Sequence, residues 1–110
     1  MAETRNQIAP LYSTLGGDPD LGEIVGMFVE EMPGRVAMLL DRLEASDFEG
    51  LRRLAHQLKG AAGSYGFDPI SPAAAGVEKA IRAGDPEPRI REAVDQLIGL
   101  CGRARPGTPA

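Results

Sequence analysis

Apolar residues recur at helical spacing in four long segments of this 110-residue chain, and helix-breaking residues separate the segments. The breakers are Gly16-Gly17 with Asp18-Pro19, Ser46-Asp47, Asp68-Pro69 with Ser71-Pro72, and Gly84 with Asp85-Pro86. The chain lacks the alternating pattern of a half-buried strand. Amphipathic helices joined by short connections bury their apolar stripes against one another, so we predict an all-α fold, an antiparallel four-helix bundle.

The first long helix is predicted to begin with Asp18 as its N-cap and Pro19 at the first helical position, and to end near Ala45. A kink is expected at Pro33-Gly34, because proline removes a backbone donor and crowds the preceding turn. Its predicted buried stripe comprises Ile24, Phe28, Met32, Val36, Leu39, Leu40 and Leu43.

The other three helices also start at recognisable residues. Their predicted N-terminal signals are a capping box of Ser46 and Glu49, either Asp68-Pro69 or Ser71-Pro72, and Asp85-Pro86. The second helix should run to about Tyr65, and the third should stop at Gly84. Cys101 falls on the apolar face of the last helix, which makes it a packing residue.

The two ends of the chain are expected to lie outside the four helices. Ile8, Leu11, Tyr12 and Leu15 have helical spacing, which predicts a short N-terminal helix within residues 1–17 that caps the bundle. Residues 18–102 should form the bundle itself. Residues 103–110 are rich in Pro and Gly and are predicted to be a flexible tail.

Composition excludes several classes of function. The formal net charge is −4, and no basic face offsets it, so nucleic-acid binding is disfavoured. No apolar run approaches the roughly 20 residues of a membrane-spanning helix, and no signal-type segment begins the chain, so we expect a cytoplasmic protein. Cys101 is the only cysteine, which excludes an intramolecular disulfide. Without clustered carboxylates or a second histidine, no metal site is expected.

His56, the only histidine, is expected to face solvent from the second long helix. At about 100° per residue the apolar residues of that helix return to one side, and His56 lies roughly opposite them. Its neighbours on the helical wheel are Arg52, Lys59, Gly60 and Gly63. An exposed imidazole beside a cation and a bare stretch of helix is typical of a docking and charge-transfer site.

These residue types suit a site for charge transfer. An unperturbed imidazole has a pKa of about 6.5, so an exposed histidine is partly neutral near pH 7 and can act as a nucleophile. Lys59 places an ammonium where it neutralises negative charge on a group bound beside the ring. Gly60 leaves the surface flat for an approaching partner, which offsets its helix penalty of about 1 kcal/mol relative to alanine.

The run His56-Gln-Leu-Lys-Gly-Ala-Ala-Gly-Ser-Tyr-Gly66 resembles the phosphorylated helix of histidine-containing phosphotransfer (HPt) domains, whose signature is His-x-Leu-Lys-Gly followed by small residues and a further glycine. The resemblance extends over roughly residues 18–100, where residues 78–85 are similar to the family's Leu-Glu-x-Ala-x-Arg-x-Gly-Asp stretch. Ala61-Ala62 depart from the family's usual Ser or Thr, and Val77 departs from its usual leucine.

The resemblance implies that His56 accepts a phosphoryl group from an aspartate of a receiver domain, or of a hybrid histidine kinase, and passes it to a response-regulator aspartate. Site residues that it implies besides His56 are Lys59 for charge neutralisation, Gly60, Gly63, Gln57 and Arg52 for docking, and Glu78 and Arg82 as second-tier candidates. For the last two, the alternative is a solvated helix face. The resemblance further implies a monomeric phosphocarrier with no cofactor of its own, the Mg²⁺ being supplied by the receiver. No ATP-binding loop is present, so a kinase activity is not expected.

Three other interpretations are open. In a purely structural interaction module, the exposed strip would bind a partner helix and His56 would be incidental. A histidine-kinase dimerisation segment also exposes a histidine, but an acidic residue, Arg and Pro typically follow there, instead of Gln57-Leu58-Lys59. A hydrolase based on Ser64 lacks the Gly-x-Ser-x-Gly elbow. The initiating Met1 favours a complete small protein over a piece of a hybrid kinase.

Overall fold

The computed structural model describes residues 9–109 of the chain. Four helices make up most of it: α1 (Gly22–Glu44), α2 (Phe48–Ser64), α3 (Ile70–Arg82) and α4 (Glu87–Cys101). Two short strands, β1 (Leu11–Tyr12) and β2 (Ala104–Arg105), pair in parallel beside the helices. The predicted all-α class with four long helices is confirmed.

All four helices contribute to one core. The large side chains that are fully buried in it are Val25, Phe28 and Leu39 of α1, Leu51 and Leu58 of α2, Ile70 and Val77 of α3, Val94 and Leu97 of α4, and Phe67 of the loop between α2 and α3. The rings of Phe28 and Phe67 stack with centroids 5.6 Å apart. Each such burial contributes about 1.5–3 kcal/mol, and short helices depend on this packing because they are marginal in isolation.

Helix α1 differs from the prediction in its start and its buried stripe. The Asp18 Oδ1 atom accepts hydrogen bonds from the backbone N–H groups of Asp20 and Leu21, which forms a turn, and the helix begins only at Gly22. It then continues through Pro33. The predicted Ile24 and Leu40 are exposed, because the core-facing stripe is centred on other positions: Val25, Phe28, Met32, Leu39 and Leu43.

Helix α2 is capped by Asp47, and the predicted capping box of Ser46 and Glu49 is wrong. The Asp47 Oδ1 atom accepts the Gly50 N–H at 2.9 Å. That N–H, with the Arg42 guanidinium, holds the pKa of the Asp47 carboxyl below its usual range. Ser46 lies in the preceding turn with a left-handed φ of 53°.

The starts of α3 and α4 lie at the predicted signals, but the cap predicted at Asp85 does not form, because Pro86 occupies the N-cap position of α4. Of the two alternatives for α3, the first is found, since Pro69 occupies the N-cap position and Pro72 falls in the first turn, where proline is tolerated. Helix α4 begins at Glu87, directly after Pro86.

The N-terminal segment packs on the bundle as a strand and turns, and the predicted capping helix does not form over residues 9–17. The part of that prediction in residues 1–8 lies outside the described residues. Ser13 is buried and its Oγ donates to the carbonyl of Tyr65, while the Thr14 N–H donates to the Gly66 carbonyl at 3.0 Å. These bonds attach the segment to the end of α2.

Residues 103–105 are anchored, although the sequence predicted a flexible tail over residues 103–110. Ala104 of β2 is buried. The Leu11 N–H donates to the Arg103 carbonyl at 2.7 Å, and Arg103 Nε donates to the Ala9 carbonyl at 2.7 Å. Pairing of β1 with β2 gives backbone groups in both segments hydrogen-bond partners.

Candidate functional site

His56 lies on the solvent side of α2, with 60% of its side chain exposed. The helix places it there because its apolar residues Leu51, Ala55, Leu58 and Ala62 are buried on the opposite side. The imidazole is therefore accessible to a partner protein, as the helical wheel predicted.

Glu78 of α3 is the residue against which the His56 ring is held. Its carboxylate is buried, with only 4% of the residue exposed. Glu78 Oε2 lies 2.9 Å from His56 Nδ1, and Glu78 Oε1 accepts a hydrogen bond from Lys59 Nζ at 3.0 Å. Arg82 Nη2 lies 3.1 Å from Oε2, and Arg52 Nη1 lies 3.9 Å from it. One buried carboxylate thus joins the histidine to three cationic side chains.

The charge of Glu78 determines which nitrogen of His56 carries a proton. The hydrogen bond from Lys59 lowers the pKa of Glu78, and the bond from His56 acts in the same direction, against the effect of burial. An ionised carboxylate only accepts hydrogen bonds, so the proton of the neutral ring resides on Nδ1. The free lone pair is then on Nε2, the other ring nitrogen.

Glu78 is buried, so the alternative of a solvated helix face does not apply to it, whereas Arg82 is exposed. Both were second-tier candidates from the sequence, and the packing of α3 on α2 brings both to His56. The available sequence signal was their i, i+4 spacing, which places an acid and a base on one helix face. It did not show that this face would meet α2.

The four predicted docking residues lie around His56 in different environments. A Cβ added at Gly60 would meet no described atom within 4 Å, so the surface there is open. At Gly63 it would lie 3.7 Å from Ser71 Oγ, which itself donates to the Lys59 carbonyl where α2 and α3 meet. Gln57 is exposed, and Arg52 forms a two-bond ion pair with Glu49.

Among residues 9–109, the other reactive groups do not form a second centre. Burial raises the pKa of the Cys101 thiol to about 11, which makes it a poor nucleophile. Within residues 9–109, no group of three or more His, Cys, Asp or Glu side chains could hold a metal ion. In the same part of the chain, no helix has the length and apolar character to cross a membrane.

Fold and site together define a helical-bundle domain that presents one accessible histidine, with its tautomer set by a buried carboxylate. The chain matches the family model of the Hpt domain over residues 23–105, and it belongs to that family. No curated protein and no solved structure matches it. Hpt domains are phosphocarriers of two-component phosphorelays that interact with receiver domains, so histidine phosphotransfer is the general function of this chain.

Proposed function

We propose that this chain is a phosphorelay intermediate in which His56 accepts a phosphoryl group from a receiver-domain aspartate, or from a hybrid histidine kinase, and passes it to a response-regulator aspartate. The observation that carries the proposal is the 2.9 Å contact between His56 Nδ1 and buried Glu78. This contact leaves the lone pair on the nitrogen that has no carboxylate partner.

The proposed transfer is an in-line displacement at phosphorus. The lone pair of His56 Nε2 attacks the phosphorus of the aspartyl phosphate, so the P–N bond forms as the P–O bond breaks and the aspartate leaves as a carboxylate. The ring keeps its Nδ1 proton, and the positive charge that develops on it faces Glu78. In the second transfer, a receiver carboxylate oxygen attacks the phosphorus, and the P–N electron pair returns to Nε2.

The neighbouring cations would neutralise the incoming charge. A phosphoryl group brings about two negative charges at neutral pH, and Lys59 and Arg82 already lie within 3.1 Å of the Glu78 carboxylate. In this proposal both turn toward the phosphoryl oxygens, while Nδ1–H keeps its bond to Glu78. Gly60 leaves the approach to the ring open.

Further parts of the proposal concern the state of the protein. The chain needs no cofactor of its own, because the receiver supplies Mg²⁺ together with the acidic pocket. We propose a monomer acting in the cytoplasm, where the receiver domains would meet it. We also propose the antiparallel helix arrangement, which the short loops 45–47, 65–69 and 83–86 support.

The test is phosphoryl transfer from a panel of phosphorylated receiver domains of the same genome to wild type and to His56→Gln. We expect rapid labelling of wild type alone, with a label that is acid-labile and alkali-stable. Circular dichroism of both proteins controls for folding. If no receiver labels folded wild type, the relay proposal fails, and a structural interaction module becomes the better interpretation.

A further inference from the structure

A groove between α1 and α2 lies on the flank of the His56 helix away from Glu78. Its volume is about 480 Å³. Leu39 and Leu58 are buried core side chains that line it, and Met38 stands at its edge with 51% of the residue exposed. An exposed, flexible methionine over an apolar floor is a side chain that adapts to a partner.

The groove is continuous with the surface around His56. Gln57, the next residue, lines the groove together with Leu54. A second hollow of about 270 Å³ shares Met38, Leu54 and Gln57 and extends the groove toward the start of α2. A protein that covers the His56 ring therefore reaches the groove across one exposed side chain, that of Gln57.

Charge changes sign across this surface. Glu30 and Glu31 form an exposed acidic rim on α1, whereas Arg52, Lys59 and Arg82 surround the carboxylate on the other flank of α2. Arg35 also lines the groove, and its guanidinium carbon lies 5.4 Å from the centroid of the Phe28 ring. Its Nη2 lies 3.5 Å from Glu31, and its buried Nε has no acceptor among the described residues.

The size of a protein interface connects these features. Transfer requires the reacting atoms to come within about 3–3.5 Å of each other, so the partner must sit directly on His56. A standard interface covers roughly 800 Å² on each partner, far more than one imidazole. Binding energy is concentrated in apolar anchors in well-packed pockets, and the groove is such a pocket next to the ring.

We propose that the groove between α1 and α2 is the docking site of the receiver domain that exchanges phosphoryl groups with His56. It selects a receiver surface with three features in order: the acidic phosphorylation pocket over the cations, an apolar anchor seated beside Met38, and a basic side chain opposite Glu30. This inference rests on the proposed function and names the surface that determines the choice of partner.

The test compares Met38→Lys with Leu40→Lys. Leu40 is a matched control because it lies on the same helix, is 41% exposed and does not line the groove. Each protein is phosphorylated by a receiver and, separately, by phosphoramidate, a small donor that needs no docking. We expect the ratio of receiver rate to phosphoramidate rate to fall at least tenfold in Met38→Lys and to stay at the wild-type value in Leu40→Lys.

A charge reversal tests the basic feature of the partner. Glu30→Lys is expected to slow receiver transfer severalfold at low salt, with the difference shrinking as salt is raised. If Glu30→Lys accepts the phosphoryl group from the receiver at the wild-type rate at every salt concentration, this part of the inference is overturned.

The docking inference is overturned if the ratio of receiver rate to phosphoramidate rate in Met38→Lys equals that of wild type. It is also overturned if this ratio falls as much in Leu40→Lys as in Met38→Lys. Failure of the proposed function has a different signature. In that case no receiver labels folded wild type at all, whatever the residue at position 38 and whether or not phosphoramidate labels the ring.

Discussion

His56 and Glu78 are 22 residues apart and on different helices, yet His56 Nδ1 lies 2.9 Å from Glu78 Oε2. The carboxylate is buried, and its other oxygen is bound by Lys59. A buried charge is tolerated when hydrogen bonds and opposite charges satisfy it, and here the candidate nucleophile is one of the partners. The packing of α3 therefore affects which nitrogen of the His56 ring on α2 carries the proton.

Replacement of the carboxylate should affect both the rate of transfer and the tautomer of the ring. In Glu78→Gln the amide can donate as well as accept, so Nδ1 no longer has to carry the proton. We expect transfer from the receiver to slow roughly tenfold to hundredfold, as for a misplaced catalytic group. Nitrogen-15 NMR of the imidazole should show one neutral tautomer in wild type and a mixture in the variant. An unchanged tautomer with an unchanged rate would contradict the positioning role.

The ion pairs of Glu78 should make stability depend on pH. Its folded pKa is lowered from the ordinary value near 4.5, chiefly by Lys59, so below that value the unfolded chain binds more protons than the folded one. This contribution to the free energy of unfolding is complete above the unfolded pKa and is lost as pH falls through the folded pKa. Urea titrations from pH 7 to pH 3 should show a shallower acid loss in Glu78→Gln than in wild type. If Glu78→Gln and wild type lose equal stability on acidification, the ion pairs of Glu78 are not the cause of the pH dependence. Glu92→Gln is the control, because Glu92 is an exposed carboxylate.

Charge neutralisation by Lys59 predicts a selective effect of its removal. Lys59→Gln keeps a donor for Glu78 but removes the ammonium, so we expect receiver transfer to fall roughly tenfold or more. Lys79→Gln removes an exposed cation from α3 and should leave the rate unchanged. Stopped-flow or gel-based transfer assays measure both. If the two variants have equal rates, Lys59 does not act on the phosphoryl group.

The leucine of the His-x-Leu-Lys-Gly run is expected to act through packing. Leu58 is fully buried, so Leu58→Ala should lower the free energy of unfolding by about 3 kcal/mol through lost apolar burial and a residual cavity. Leu54 lies one turn earlier and is half-buried, so Leu54→Ala should lower the free energy of unfolding by clearly less. Chemical denaturation distinguishes the two. Equal losses would show that this part of the core collapses around either truncation.

The contact between the N-terminal segment and α2 can be tested at a glycine. Gly66 has a φ of +78°, and an added Cβ would come within 2.7 Å of Ser13 Oγ. Gly84 has a φ of +70° with open space around it, so Gly84→Ala should cost only the conformational penalty of about 1–2 kcal/mol. Gly66→Ala should lower the free energy of unfolding by more, because the N-terminal segment at Ser13 must also shift. Thermal and urea unfolding of both variants provide the comparison, and a smaller loss for Gly66→Ala would show that the segment is not held there.

Local patterns predicted much of this molecule. The helical spacing of apolar residues is a property of short windows, so four helices and the exposed side of α2 could be inferred without knowledge of their packing. The start of α3 remained open because both Asp68-Pro69 and Ser71-Pro72 have the local chemistry of a helix start. The N-cap of α2 was missed by one residue, since Ser46 and Asp47 are both good capping residues and only the backbone conformation distinguishes them.

The predictions for residues 9–17 and for residues 103–105 were wrong for a different reason. Leu11 and Tyr12 have a spacing that fits a helix, but their backbone groups find partners more than 90 residues away, in the segment after α4. A weak local preference yields when tertiary contacts favour another conformation.

The sequence by itself determined the helical architecture and the exposure of His56, because both follow from a 3.6-residue period within single segments. Only the tertiary structure decided that Glu78 would be buried against that histidine and that Leu11–Tyr12 would pair with Ala104–Arg105. Those contacts depend on how the side chains of one helix pack between those of the next, and that register sets distances between residues that no local pattern relates.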